Sequence, residues 1–183
     1  MADVYMQCPV VESDHFILRL VEPHDAADLL SCYGHSESIP FLNEDHFTYA
    51  FGRPDLTIAE MEKNIHMWLE AYRERGFVRF SIVTKTGGQA VGTIEMFNWN
   101  GAPGGMGVLR LDLNPKHESK SALSELLHLS DLFFEMFDCG KILTKGFEKS
   151  QARMDALKVS GYKPFPRHED FARDGYWVKE RQT

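Results

Sequence analysis

Val108-Leu109-Arg110-Leu111-Asp112-Leu113, closed by Pro115, is the stretch on which the fold turns. Leu109, Leu111 and Leu113 fall on one face and Arg110 and Asp112 on the other, the two-residue period of a strand with a buried side. Pro115 has no N–H to give a ladder and ends it. Downstream, Ser121 to Cys139 reads as one helix, with Leu123, Leu126, Leu127, Phe133, Phe134 and Phe137 wrapping more than one face, so it is expected to be central and well covered. Upstream lies a turn-rich segment, Asn98 to Gly107, with Pro103 and four glycines.

Farther upstream, Val78-Arg79-Phe80-Ser81-Ile82 alternates as a strand, turns at Gly87-Gly88 and returns over Ala90 to Phe97, which predicts a hairpin. Before it, Thr57 followed by Glu60 makes a capping box ahead of Ile58, Met61, Ile65, Trp68 and Tyr72 at steps of three and four, the signature of an amphipathic helix that Gly76 stops. The first elements are a strand over Phe16 to Val21 and a helix from Pro23 to Tyr33. Gly34 to Asp55 has no period and reads as a long loop. Past Gly140 come a strand, Lys141 to Phe147, a helix from Ser150 to Gly161 with Tyr162 as the apolar residue of a Schellman cap, and a last strand, Tyr176 to Val178. Strand, two helices, three strands, helix, strand, helix, strand is a mixed α/β (α+β) order with no internal repeat.

With 183 residues, 43% hydrophobic and 26% charged, the chain is expected to form one globular domain, residues 1–183 with a core over 15–179. A net charge of −7 and the lack of clustered Lys and Arg argue against a nucleic-acid partner. No run approaches the apolar length of a membrane span and no signal segment precedes the fold, while Cys8, Cys32 and Cys139 form no CxxC pair; a cytoplasmic protein is expected. The eight histidines show no HxH or HExxH spacing, and no metal is expected.

Phe16-Ile17-Leu18-Arg19-Leu20-Val21-Glu22-Pro23-His24-Asp25-Ala26 resembles the L-R-x-x-x-x-x-D-A entry of RimJ/RimL-like members of the GNAT acyltransferase superfamily, and the order of elements resembles the GNAT fold from Phe16 to Lys179. That resemblance implies a mostly antiparallel central sheet of about six to seven strands flanked by about four helices. It implies acetyl-CoA as co-substrate and a primary amine, on a small molecule or a protein N-terminus, as acceptor. The family's pyrophosphate loop, Q/R-x-x-G-x-G/A, falls on Glu118-Ser119-Lys120-Ser121-Ala122-Leu123, where both glycines and the leading Gln or Arg are missing. Ser119, Ser121 and Lys120 are expected to cradle the diphosphate in their place, or Ser119 or Ser121 simply caps the helix. Leu111 and Leu113 of the preceding strand, and Ser150 and Arg153 of the helix that resembles the family's N-x-x-S segment, complete the implied cofactor set. Leu157 stands where many relatives carry a general-acid Tyr.

Among ionisable groups, Asp112 and Glu95 are the candidates for a base that removes the ammonium proton through water. An ion pair with Arg110 is the alternative for Asp112, and a solvated carboxylate the alternative for Glu95. Glu44, Asp45 and Phe47, with Glu37, Phe41, Tyr49 and Phe51 around them, are candidates for holding a cationic acceptor by charge and cation–π contact. Trp99, Phe165, Phe171 and Trp177 read as an exposed surplus that would suit a homodimer face. A non-catalytic GNAT-like binding domain is the competing reading.

Overall fold

A computed structural model describes residues 3–44, 52–99, 101–166, 171 and 173–182. Eight strands form one sheet in the order β1-β2-β3-β4-β5-β6-β8-β7: β1 (Val11–Glu12), β2 (Phe16–Leu20), β3 (Val78–Thr84), β4 (Ala90–Asn98), β5 (Gly105–Leu113), β6 (Cys139–Lys145), β7 (Lys163–Pro164) and β8 (Tyr176–Glu180). The sheet is mixed: β5 and β6 run parallel, from Gly105↔Cys139 to Leu109↔Thr144, while β1–β2, β2–β3, β6–β8 and β7–β8 are antiparallel. β1 and β7, two residues each, are the strands that periodicity did not register, because two residues carry no period.

The chain forms two compact units, Ala2–Glu95 with Leu111–His117, and Met96–Arg110 with Glu118–Thr183. In the first, helices α1 (Ala26–Tyr33), α2 (Ile39–Glu44) and α3 (Ile58–Arg73) accompany the sheet. Leu29, Cys32, Tyr33, Leu42, Met61, Ile65 and Trp68, none more than 2% exposed, make its core. The capping box forms as expected: the Thr57 hydroxyl accepts from the Glu60 N–H and the Glu60 carboxylate accepts from the Thr57 N–H. The helix does not stop on Gly76, however; Arg75 takes the left-handed conformation, with φ 62°. α2 occupies part of the stretch read as loop, too short for a period to show.

The L-R…D-A entry is a clamp between β2 and the turn that starts the first helix. Arg19 donates two hydrogen bonds to the Asp25 carboxylate, at 2.6 and 2.9 Å, and Ser81 Oγ and the Glu22 N–H donate to the same carboxylate at 2.7 and 2.9 Å. Burial pushes the Asp25 carboxyl up, but these donors together hold it below its ordinary value.

In the second unit the long helix expected from Ser121 to Cys139 is broken. α4 (Lys120–Leu129) gives way to a 3-10 turn at Ser130–Leu132 before α5 (Phe133–Met136). Buried Ser130 turns its hydroxyl back to the Leu127 carbonyl at 2.6 Å, a local bond that competes with helix continuation. α6 (Gln151–Val159) ends in the Schellman cap: Gly161 has φ 84°, its N–H reaches Lys158 O, the Tyr162 N–H reaches Leu157 O, and the Leu157 and Tyr162 side chains are both buried. Of the aromatic residues read as an exposed face, Phe171 and Trp177 are buried, at 1% and 9% exposed, while Trp99 and Phe165 are half-buried; Phe171 stands edge-on to Trp99, Phe165 and Tyr176 at centroid distances of 5.2, 6.4 and 4.8 Å.

Candidate active site

Three strands of the first unit each deliver a polar side chain to one buried point. Arg79 of β3 is 1% exposed, and its Nη2 pairs with Glu95 Oε2 of β4. Its Nη1 donates to the Tyr33 hydroxyl of α1 at 3.0 Å and to Thr93 Oγ1 of β4 at 3.0 Å, and lies 3.5 Å from Asp112 Oδ2 of β5. The Tyr33 hydroxyl in turn donates to Asp112 Oδ2 at 2.7 Å. The guanidinium stacks on Trp68 of α3, with Cζ 4.2 Å from the ring centroid. A buried guanidinium is tolerated only when its charge is met, and here two carboxylates and two hydroxyls meet its terminal nitrogens and an indole face its plane.

Asp112 and Glu95, the two carboxylates singled out from sequence, therefore share one cation. Glu95 is not the solvated carboxylate that alternation suggested: it is 9% exposed, and Asp112 4%. The strands come this close because residue 92 is glycine: a Cβ there would lie 2.2 Å from the Asp112 carbonyl oxygen. Arg79, Tyr33 and Trp68 were read from the sequence only as parts of a strand and two helices, and Gly92 not at all. The available signal was charge of opposite sign on successive strands, Arg79 on one and Glu95 on the next.

In the second unit, α4 and α6 both begin with a serine cap. Ser119 Oγ accepts from the Ala122 N–H at 3.2 Å, the capping alternative, and lies 3.0 Å from Ser121 Oγ. Ser150 Oγ accepts from the Arg153 N–H at 3.3 Å. Glu118 turns toward α6, where Arg153 Nε donates to its Oε1 at 3.1 Å and Ser150 Oγ at 3.4 Å. Arg153, 4% exposed, also covers the Phe147 ring with Cζ at 4.9 Å. Glu118 and Arg153, two of the residues that depart from the resembled pattern, are thus each other's counter-ion. Lys120 is exposed, and no acidic residue stands in the first turn of α4. In the first unit the Leu111 and Leu113 side chains are buried, both 3% exposed, and in the second Leu123 is fully buried.

Glu44 lies exposed at the end of α2, while Asp45 and Phe47 fall outside the described residues. Among the described residues no group of three or more His, Cys, Asp or Glu could hold a metal ion, and no helix is long and apolar enough to cross a membrane.

No family profile and no curated protein matches the chain by sequence. Solved structures do match. A GNAT-family acetyltransferase from Bacillus anthracis superposes with a TM-score of 0.70 at 13% identity, covering 94% of this chain and 99% of that one. The ribosomal-protein-S5-alanine acetyltransferase from Vibrio fischeri superposes with a TM-score of 0.69 at 15% identity, covering 94% and 97%. The chain has the GNAT fold. An aminoglycoside acetyltransferase in complex with coenzyme A shares it as well, with a TM-score of 0.65 at 17% identity over 90% of this chain and 94% of that one. At such identities the GNAT likeness is one of backbone, and side chains must argue for function on their own.

Proposed function

We propose that the chain is an N-acetyltransferase that moves the acetyl group of acetyl-CoA to a primary amine, on a small molecule or a protein N-terminus. The observation that carries this reading is the Glu95–Arg79–Asp112 cluster on three consecutive strands of a GNAT fold. An amine must lose a proton as it is acylated, and Glu95 retains more access to solvent than Asp112, so an acceptor can reach it directly or through one water. Asp112, deeper and hydrogen-bonded to Tyr33, anchors the cluster from behind. Glu44, with Asp45 and Phe47, is our candidate for attracting a cationic acceptor.

The serine-capped start of α4 suits a phosphate. Glu118, the one acidic residue beside it, is offset by Arg153, and Lys120, Ser119 and Ser121 remain as the cation and hydroxyls of the turn. Coenzyme A, when bound, would supply the thioester carbonyl that the amine attacks. Lys120 and the two serines would hold its diphosphate, with Arg153 and Ser150 beside them.

A second reading, a GNAT-like binding domain that does not use acetyl-CoA, is favoured by the same ion pair, because Arg153 answers a carboxylate already present, and by the buried Leu157. Calorimetric titration with acetyl-CoA separates the two. Micromolar binding, about −8 kcal/mol, weakened at least about tenfold by Lys120→Glu and accompanied by acetylation in an amine screen, supports the transferase. No heat up to millimolar acetyl-CoA overturns it in favour of the binding domain.

A further inference from the structure

Arg79 does more in this cluster than neutralise charge. It sits on β3, next to the strand that carries Glu95, almost wholly buried, with one face on Trp68 and its two terminal nitrogens directed to different partners. Nη1 is fixed by Tyr33, Thr93 and Asp112, all of them buried, and Nη2 is thereby aimed at Glu95. Phe77 adds a second ring 5.7 Å from Cζ. A planar guanidinium held at one nitrogen and stacked on an indole has one orientation available, and whatever it bonds at the other nitrogen inherits that orientation.

We propose that Arg79 is the positioning residue of this site: it fixes the Glu95 carboxylate in the one rotamer from which it accepts the acceptor's proton, while Asp112, Tyr33 and Trp68 serve to lock Arg79. The inference rests on the acetyltransferase reading above and deepens it, since it divides the two carboxylates by role. Glu95 faces the acceptor and Asp112 faces the arginine. Lysine at this position would keep the charge but lose the fork, reaching either Glu95 or the Tyr33–Asp112 side but not both.

The test is a double-mutant cycle on turnover. Arg79→Gln should lower kcat about 100-fold with the KM for acetyl-CoA changed less than about twofold. The same substitution in a Glu95→Gln background should cost less than about threefold, because the group that Arg79 orients is already gone. Arg79→Lys, which keeps the buried charge compensated, should fold if Arg79→Gln does not, and should show the same collapse of its effect in the Glu95→Gln background. A loss that persists undiminished in that background, or an acetyl-CoA KM that rises in step with the fall in kcat, would mean that Arg79 only supports the fold and would overturn the proposal. A wild-type protein that binds no acetyl-CoA and acetylates no amine sinks the transferase reading itself, an outcome distinct from an active enzyme whose Arg79 and Glu95 effects simply add.

Discussion

Gly92 of β4 lies so close to the carbonyl of Asp112 that a methyl group in place of its hydrogen would stand 2.2 Å from that oxygen and 2.9 Å from the Leu113 Cα. Both obstacles are backbone, so no rotamer change relieves them. Gly92→Ala must push β4 from β5 beside Thr93 and Glu95, and it is expected to cost about 3 kcal/mol. Thermal unfolding of the purified variant reads the loss, and an unchanged midpoint would mean that the two strands yield more easily than a packed sheet should.

Glu60 offers a stability effect whose sign follows from its partners. The Arg53 guanidinium beside it, with the Thr57 hydroxyl and N–H, brings its carboxyl from the ordinary 4.5 down to about 2. A carboxyl depressed in the folded state contributes stability that is fully present above its unfolded value and is lost as pH falls through its folded one. Wild type should therefore exceed Glu60→Gln in urea midpoint at neutral pH, and the difference should shrink between pH 4.5 and about 2. A difference that stays constant over that range would show that the cap acts without its charge.

Much of the scaffold is legible in the sequence. Thr57 with Glu60, and Gly161 with Tyr162, are local chemistry, and local chemistry survives in a tertiary context: both caps form as read. The strands around Asp112 followed from alternation. Alternation reports period and not solvent, so it offered Asp112 and Glu95 as carboxylates but not the buried arginine that joins them. Val78-Arg79-Phe80-Ser81-Ile82 alternates apolar and polar residues as a strand, yet every one of the five is buried. Arg79 and Glu95 are met by partners distant in sequence, and Tyr33 is 79 residues from Asp112, a pairing that no window of neighbouring residues displays. The helix break at Ser130 has a similar origin: its hydroxyl bonds locally, but its burial beside Tyr162 is tertiary.

Arg75 carries a left-handed backbone, φ 62°, just past α3, where glycine is the usual residue. Its side chain pairs with Asp3 at 2.5 Å and covers the Tyr5 ring, contacts that are exposed and worth little. Relief of the left-handed strain, about 1 kcal/mol, should outweigh both losses. Arg75→Gly is expected to leave the protein as stable or slightly more so in chemical denaturation, whereas Arg75→Val, β-branched and ill-suited to positive φ, should destabilise it.

Glu118 and Arg153 form a nearly buried pair, with side-chain exposures of 12% and 5%, between the starts of α4 and α6. Removing one partner leaves the other with a charge it can neither pair nor fully solvate. Arg153→Met alone is therefore expected to cost about 3 kcal/mol, and adding Glu118→Met should recover most of it, since two apolar side chains of similar length can pack where the ions were. Recovery in denaturant unfolding, with acetyl-CoA affinity reduced in both variants, would assign the pair's guanidinium to the diphosphate as well as to Glu118. Affinity retained in the double variant would leave Lys120 and the serine caps as the groups that hold the phosphates, and Arg153 as a strut between two helices.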